Sequence, residues 1–209
     1  MAKVAARKPR LNREQQKAAR SIELLDAAWA LFCEKGYESL TIDVVAEYAG
    51  YSRMPIYSLF GDKQNLFFEL WKLKSADVSD VLLKDCEAGA SLHDNLLKIA
   101  HNIVRSGEKS NSDTNYGEYL FFVVQTISLN RPDIREKLDA LAHEHINGIA
   151  QVIEQSSLRK NETLRASPEE IALQMIAYIN GSSTVEFHTK RMFQTAKSIH
   201  GLFLHIALR

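Results

Sequence analysis

The sequence predicts an all-α protein. Apolar residues recur at helical spacing along most of the chain, and no segment shows the alternation of apolar and polar residues that indicates a β-strand. Glycine-containing or polar breaks separate the helical patterns, as at positions 87–90 and 107–115. With 209 residues and 45% hydrophobic content, the chain can bury a core in one or two domains.

The first 20 residues are basic, and Glu14 is the only acidic residue among them. The basic side chains are Lys3, Arg7, Lys8, Arg10, Arg13, Lys17 and Arg20. Segments of this kind are most often solvated tails without a defined role, partly disordered or extending the first helix. Beside a DNA-binding helix, however, this N-terminal arm would be suited to contact phosphates or the minor groove.

Residues 41–66 predict two short helices joined by a tight turn and followed by a third. Ile42 and Val45 lie on the apolar face of the first helix, Gly50 permits the turn, and Ser52 is suited to cap the second helix. Helices joined in this way also occur in many all-α proteins that never bind nucleic acid. The basic arm upstream favours a DNA-binding helix-turn-helix over that plain helical hairpin.

The second helix of this pair can start despite a proline. Pro55 falls in the first turn, where a backbone N–H has no intrahelical partner and its absence is tolerated. Gly61 ends the helix. Asp62 is a good cap for the next helix, which starts at Lys63 and continues past Leu66.

Three segments carry a family resemblance. One runs from Ile22 to Tyr37 and ends in a glycine–aromatic pair, one runs from Thr41 to Gly50, and one from Tyr57 to Leu66 contains Tyr-x-x-Phe followed by Gly-Asp-Lys. Together they resemble the DNA-binding domain of TetR/AcrR-family transcriptional regulators. The specific match covers about the first third of the chain, and the remainder is similar in length and helical texture.

The resemblance implies a three-helix helix-turn-helix domain over 21–66, preceded by the arm over 1–20. It also implies a helical ligand-binding and dimerisation domain over 67–209. Family members typically place the residues matching Thr41, Tyr57 and Lys63 on phosphates, and the start of the recognition helix near base edges. Here that start consists of Ser52, Arg53, Met54 and Pro55.

The chain departs from the family pattern at the candidate interface. Tyr51 stands where a small aliphatic residue is common, and Met54 and Pro55 replace the usual small residues, so the operator sequence cannot be taken from relatives. Arg53 is the candidate for a guanine contact because its guanidinium can bond both major-groove acceptors of that base. Met54 and Pro55 are suited to thymine methyl groups.

Composition excludes several other classes. The net charge of zero and the pI of about 7.1 argue against indiscriminate polyanion binding and a membrane-attracted surface. The longest apolar stretch, around 119–124, is far too short to cross a bilayer, and the basic N-terminus leads into polar residues rather than a signal-peptide core. We therefore expect a cytoplasmic protein without a membrane partner.

No catalytic or metal-binding pattern emerges from the sequence. Cys33 and Cys86 form no close pair, and the histidines at positions 143, 145, 200 and 205 have spacings that diverge on a helix. A nucleophile elbow, a phosphate-binding glycine loop and a diagnostic carboxylate pair are all missing. We expect neither an enzyme nor a bound metal or cofactor.

Further helices are predicted around residues 92–105, 116–129, 133–158, 168–188 and 194–208, with Ser167 and Pro168 as a strong start signal. Most of their large apolar residues would simply form a core. The family resemblance implies that these helices also surround a cavity for a small effector, and aromatic residues with scattered polar groups suit an apolar or aromatic one. The candidate effector-binding residues are Trp71, His101, Ile103, Tyr116, Tyr119, Phe122 and His145.

The last two predicted helices have apolar faces that suit association. In relatives these helices pack against their twofold mates as a four-helix bundle, although the same faces could cover the chain's own core. A single short recognition helix contacts too few base pairs to be selective, so a homodimer that binds a palindrome is expected. The candidate interface residues are Met175, Tyr178, Ser182, Ile199 and Phe203.

These observations predict a transcriptional repressor that a small apolar or aromatic effector releases from a palindromic operator. The effector would act by changing the separation of the two recognition helices. One alternative is an effector-less DNA-binding or scaffold protein of the same fold, whose C-terminal half serves only dimerisation or a protein partner. Another is a helical ligand carrier or enzyme that has lost the DNA function.

Overall fold

The computed structural model describes residues 12–109, 116–189 and 194–209. Within these ranges the chain forms nine α-helices and no β-strand, which confirms the predicted all-α class. The helices are α1 (Arg13–Lys35), α2 (Ile42–Tyr48), α3 (Met54–Phe60), α4 (Lys63–Leu82), α5 (Leu92–Lys109), α6 (Tyr116–Ser128), α7 (Pro132–Gln155), α8 (Pro168–Thr189) and α9 (Ala196–Ala207). In the described part of the chain, none of them combines the length and apolar character needed to cross a bilayer.

Helix α1 begins inside the basic arm. The side-chain oxygen of Asn12 accepts a hydrogen bond from the Gln15 backbone N–H at 2.8 Å, and the Gln15 side chain accepts one from the Asn12 N–H at 3.0 Å. This reciprocal capping box satisfies two donors at the helix start. Arg13, Lys17 and Arg20 therefore lie on a regular helix. The other arm candidates, Lys3, Arg7, Lys8 and Arg10, lie outside the described residues.

The chain divides into two compact units, Met1–Leu70 and Trp71–Arg209. The first extends beyond the predicted boundary at residue 66 because Phe67 and Leu70 are fully buried. The ring centroid of Phe67 lies 5.8 Å from that of Phe32 and 4.8 Å, edge-on, from that of Tyr37. The other large buried side chains of this unit include Leu24, Leu25, Leu31, Leu40, Val45, Ile56, Phe60, Leu66 and Phe68.

The core of the second unit is built mainly from α5, α7, α8 and α9. Its largest members include Leu92, Leu96, Ile99, Ile149, Ile153, Ile171, Met175, Ile199 and Phe203. The buried amide of Asn95 donates to the Glu87 carbonyl and to Ser156 Oγ, both at 2.9 Å. Because these hydrogen bonds satisfy the buried amide, it joins the turn before α5 to the end of α7 without a desolvation penalty.

Helix α7 ends at Gln155, earlier than the predicted end at position 158. Ser156 is already extended, and the backbone of Ser157 pairs with the strand-like segment before α5. Its N–H donates to the Ala90 carbonyl at 2.9 Å, and its carbonyl accepts from the Leu92 N–H at 2.9 Å. These long-range bonds replace another helical turn, and a helical pattern cannot reveal them.

Candidate nucleic-acid interface

Helices α2 and α3 form the predicted helix-turn-helix. Thr41 caps α2, since its Oγ1 accepts a hydrogen bond from the Val44 N–H at 3.2 Å. The hydroxyl proton of Thr41 is not used in this cap and can still be donated to a phosphate oxygen. Gly50 has a φ of 72°, a conformation that favours glycine, and the next N–H, of Tyr51, donates to the Ala46 carbonyl at 2.8 Å. The tight turn predicted at Gly50 is confirmed.

Helix α3 has one buried and one exposed side. Ile56 is fully buried and Phe60 is 8% exposed, so these two side chains fix the helix to the core of the first unit. Met54 is 66% exposed and Tyr57 is 46% exposed, although both are large apolar or aromatic side chains. Exposed side chains of this size are typical of a binding surface when they lie together with polar and basic groups.

Ser52 does not cap α3, contrary to the sequence prediction. The N-cap residue is Arg53, whose backbone is already helical (φ −65°, ψ −23°) and whose side chain forms no capping hydrogen bond. Pro55 lies in the first turn, as predicted. The helix therefore starts one residue later than a serine cap would place it, and Ser52 is an exposed residue of the turn.

Arg53 lies beside an acidic residue of α2. Its Nη1 is 3.9 Å from Asp43 Oδ1, and the two side chains are 64% and 73% exposed. An exposed ion pair at this distance contributes little to stability, about 0–1 kcal/mol. Arg53 can therefore exchange the carboxylate for another acceptor at small cost, and the pair keeps its guanidinium near the N-termini of both helices.

Helix α4 begins with the predicted aspartate cap. Asp62 Oδ1 accepts a hydrogen bond from the Asn65 N–H at 2.8 Å. The next residue, Lys63, donates from Nζ to the Tyr37 carbonyl at 2.8 Å, and its Nζ lies 3.9 Å from the centroid of the Tyr37 ring. Burial lowers the pKa of the Lys63 ammonium. Lys63 thus joins the start of α4 to the segment that follows α1, a structural role that the sequence did not indicate.

Replacing Lys63 by alanine should have two separable effects. Loss of the hydrogen bond and the cation–π contact should lower the free energy of unfolding by about 1–2 kcal/mol. If the ammonium also contacts a phosphate, binding to all DNA sequences should weaken and its salt dependence should fall. Chemical denaturation measures the first effect, and titration of labelled duplexes at several salt concentrations measures the second. Unchanged stability would contradict the structural role.

The predicted effector-binding residues belong to the second unit, and two of them, Trp71 and Phe122, each contact Phe121. The ring of Phe122 has centroid distances of 5.4 Å to Phe187, 5.9 Å to Phe121 and 6.2 Å to His188, while Trp71 lies 6.1 Å from Phe121. We call these five residues the aromatic cluster. Tyr116 and Tyr119, on the same helix as Phe122, are half-buried.

The remaining effector candidates lie elsewhere. His101 is exposed between the buried residues Ala100 and Asn102 of α5, and its effector-binding role stays a prediction. Ile103 packs partly against the core of the second unit. His145 is half-buried, and burial lowers the pKa of its imidazole, which favours the neutral ring.

Three of the predicted dimer-interface residues are instead core residues. Met175 and Phe203 are fully buried and Ile199 is 1% exposed within the single chain, so they have no surface to offer a partner. Tyr178 and Ser182 are half-buried, and the Tyr178 hydroxyl donates to Gln194 Oε1 at 2.6 Å. The predicted apolar residues do recur at helical spacing, but Met175, Ile199 and Phe203 face the core of the chain's own second unit.

The structure adds residues of α1 to the candidate interface. A groove beside α3 is lined by Lys17, Arg20, Met54, Pro55, Ser58 and Leu59. Arg20 and Tyr51 are in contact, with the guanidinium carbon 5.5 Å from the ring centroid. The sequence identifies Tyr51 only as a departure from the family pattern and Arg20 only as one of several charges in the arm. Neither signal predicts that the two side chains are in contact.

A tight glycine turn, an anchored α3 and its exposed first turn define a helix-turn-helix motif, the arrangement used by a large class of DNA-binding proteins. Residues 24–70 match the family model described as bacterial regulatory proteins, tetR family. This match confirms the resemblance to the TetR/AcrR family for the N-terminal third of the chain. Within the described residues, no group of three or more His, Cys, Asp or Glu side chains is arranged to hold a metal.

Curated sequence relatives match over 60 to 63 residues of this chain. The HTH-type transcriptional repressor AcnR of Corynebacterium glutamicum is 40% identical over 60 residues, which are 29% of this chain and 32% of that protein. The matched segment spans between 28% and 33% of the curated relatives' lengths. These relatives are named as transcriptional regulators and repressors rather than enzymes, in agreement with the prediction of a non-enzymatic protein.

Solved structures match nearly the whole chain at low identity. Salmonella enterica GusR has a TM-score of 0.69 at 16% identity and covers 93% of this chain and 98% of its own. A putative transcriptional regulator from Saccharomonospora viridis, solved in complex with choline, has a TM-score of 0.66 at 16% identity and covers 92% and 99%. Identity at this level supports the shared fold and says nothing about a shared ligand.

Proposed function

We propose that this protein is a cytoplasmic, sequence-specific transcriptional regulator that acts as a homodimeric repressor on a palindromic operator. The observation that carries the proposal is the exposure of Arg53, Met54 and Tyr57 on a helix whose other side is anchored by Ile56 and Phe60. A helix held in this way can enter the major groove as a rigid element. The 40% identity over 60 residues to a transcriptional repressor supports repression over other outcomes.

The proposed contacts fall into two kinds. Arg53 binds a guanine through two hydrogen bonds, and Met54 and Pro55 contact thymine methyl groups. Ser52, Thr41, Tyr57 and Lys63 contact phosphates or nearby base edges, and the arm adds further phosphate contacts through its cations. The exposed hydroxyls and the guanidinium support these roles. Lys63 would have to use the ammonium protons that remain after its bond to Tyr37.

The proposed effector site is the aromatic cluster of the second unit. Its rings, with Tyr116 and Tyr119 on α6, offer stacking partners for an apolar or aromatic molecule. The choline complex of a structural neighbour supports ligand binding in this fold without identifying the ligand here. An effector that binds better to the DNA-free form would lower operator occupancy, and one with equal affinity for both forms would not.

The proposed dimer uses a second copy of this chain on the exposed side of α8. Leu173 and Val185 are 53% and 51% exposed, and Ala177 and Gly181, also exposed, lie between them at intervals of four residues. A Cβ at Gly181 would meet nothing within 4 Å in the single chain, so there is room for another helix to approach. Two copies would present two recognition helices to a palindromic site.

The test is selection of binding sites from random duplex DNA by the purified protein, followed by titration of the enriched site. Light scattering should give the mass of two chains for the free protein and for the protein in the complex. Enrichment of a palindrome bound by two chains is the expected result. If no sequence is enriched, and binding is weak and equal for all duplexes, sequence-specific regulation by the ligand-free protein is excluded and the scaffold alternative is favoured.

A further inference from the structure

Tyr51, in the turn between α2 and α3, contacts two residues of α1. Its hydroxyl donates a hydrogen bond to the Glu23 carboxylate, and its ring lies under the Arg20 guanidinium at 5.5 Å from the centroid. Arg20 and Glu23 are three residues apart, so they lie on the same side of α1. One tyrosine side chain therefore links the turn to α1 through a charge-assisted hydrogen bond and a cation–π contact.

Arg20 is placed beside the recognition helix by this contact. It lines the groove with Lys17, one helical turn earlier on α1, and with Met54, Pro55 and Ser58 of α3. Lys17 and Arg20 are both exposed. Two cations thus stand along the edge of the surface that holds the proposed base contacts, and their charge is complementary to a phosphodiester backbone.

Arg20 also has donors for an anion. Its guanidinium carries five N–H donors, and the contact with Tyr51, with the guanidinium carbon 5.5 Å from the ring centroid, does not use all of them. The remaining donors can form a bidentate pair with a phosphate. Because the tyrosine limits the rotamers of the arginine, less side-chain freedom is lost when the phosphate binds.

We propose that Arg20 and Lys17 bind the DNA backbone next to the site read by α3, and that Tyr51 is the positioning residue for Arg20. This inference rests on the proposed binding of duplex DNA. It does not require that binding be sequence-specific. It assigns a role to Tyr51, which stands where relatives commonly have a small aliphatic residue.

The test uses the full-length protein and a labelled duplex of arbitrary sequence, titrated by fluorescence anisotropy over a range of salt concentrations. Arg20→Gln should weaken binding several-fold and reduce the magnitude of the slope of log K against log salt by about one. The double variant with Lys17→Gln and Arg20→Gln should reduce that magnitude by about two. The matched control, Lys160→Gln, removes a cation from an exposed loop of the second unit and should leave the slope unchanged. Equal slopes for Arg20→Gln and this control would overturn the phosphate contact.

A double-mutant cycle separates positioning from direct contact. Tyr51→Val should weaken binding in the wild-type background and have no further effect in the Arg20→Gln background, since Tyr51 acts through Arg20. Tyr51→Phe keeps the ring and loses the bond to Glu23, so its loss should be smaller than that of Tyr51→Val. If Tyr51→Val weakens binding as much in the Arg20→Gln background as in the wild-type background, the positioning role is overturned.

Two controls guard against a folding defect and against failure of the proposed function. The hydrogen bond to Glu23 raises the pKa of Tyr51, so Glu23→Gln should shift its phenolate absorbance titration to lower pH, and an unchanged titration would contradict the contact. The thermal unfolding temperature of each variant should stay close to that of the wild type.

Failure of the proposed function can be told apart from failure of this inference. If the wild-type protein binds arbitrary duplexes but enriches no sequence, the proposed function is refuted and the test of Arg20 and Tyr51 can still be carried out. No binding to any duplex at low salt would overturn both.

Discussion

Replacement of Arg53 by alanine is expected to weaken binding to the selected operator by about tenfold to a hundredfold, the equivalent of about 1–3 kcal/mol. The loss should fall on the cognate sequence, because a bidentate guanine contact discriminates between bases. Binding to arbitrary duplexes should weaken less, because there only the positive charge is lost and the Asp43 carboxylate is left without its nearby cation. The measurement is the ratio of dissociation constants for the operator and for a variant with the contacted guanine replaced.

Two further variants sharpen this result. Arg53→Lys keeps the charge and loses the planar fork, so it should bind arbitrary duplexes like wild type while discriminating poorly. Alanine at position 53 also leaves the Asp43 carboxylate without its nearby cation, which adds repulsion from DNA. Asp43→Asn in the alanine background should relieve that repulsion without restoring the base preference. An unchanged ratio for Arg53→Ala would refute the assigned guanine contact.

Replacement of Phe67 by alanine is expected to lower the free energy of unfolding of the first unit by about 3–5 kcal/mol. The ring is fully buried and contacts both Phe32 and Tyr37, so its removal leaves a cavity that neighbouring side chains cannot fill without moving. A loss of this size is a large fraction of the stability of a small domain. DNA binding should then disappear at a temperature at which the wild-type protein still binds.

The matched control is Phe67→Leu, which preserves most of the apolar volume and should be clearly less destabilising than alanine. Chemical denaturation followed by the fluorescence of Trp29 in a Trp71→Phe background would report on the first unit. Equal stabilities of the alanine and leucine variants would contradict the packing described for this ring.

Local signals in the sequence predicted the helix-turn-helix well. The hydroxyl cap at Thr41, the glycine turn at Gly50 and the carboxylate cap at Asp62 each depend on residues within three to five positions of one another, so a local stretch of sequence contains all their partners. The start of α3 was predicted less well. Ser52 is a good capping residue, but a helical backbone at Arg53 displaced the cap by one position.

Contacts between distant parts of the chain could not be predicted. Tyr51 and Glu23 are 28 positions apart and Lys63 and Tyr37 are 26 apart, so only the folded chain brings them together. The faces of α8 and α9 illustrate a related limit. Helical spacing groups Met175 with its apolar neighbours, and it cannot decide whether such a face covers the chain's own core or a partner.

The ion pair between Asp43 and Arg53 bears on how quickly an operator is found. On DNA that lacks the preferred base, the Arg53 guanidinium can remain beside the Asp43 carboxylate, with Nη1 3.9 Å from Oδ1. A contact with the wrong base then adds little to the affinity. We therefore expect short residence on non-target DNA, which lets a protein sample more positions in a given time. Asp43, which is not among the proposed base contacts, would then shorten residence on non-target DNA, while the base contacts of Arg53, Met54 and Pro55 determine the preferred site.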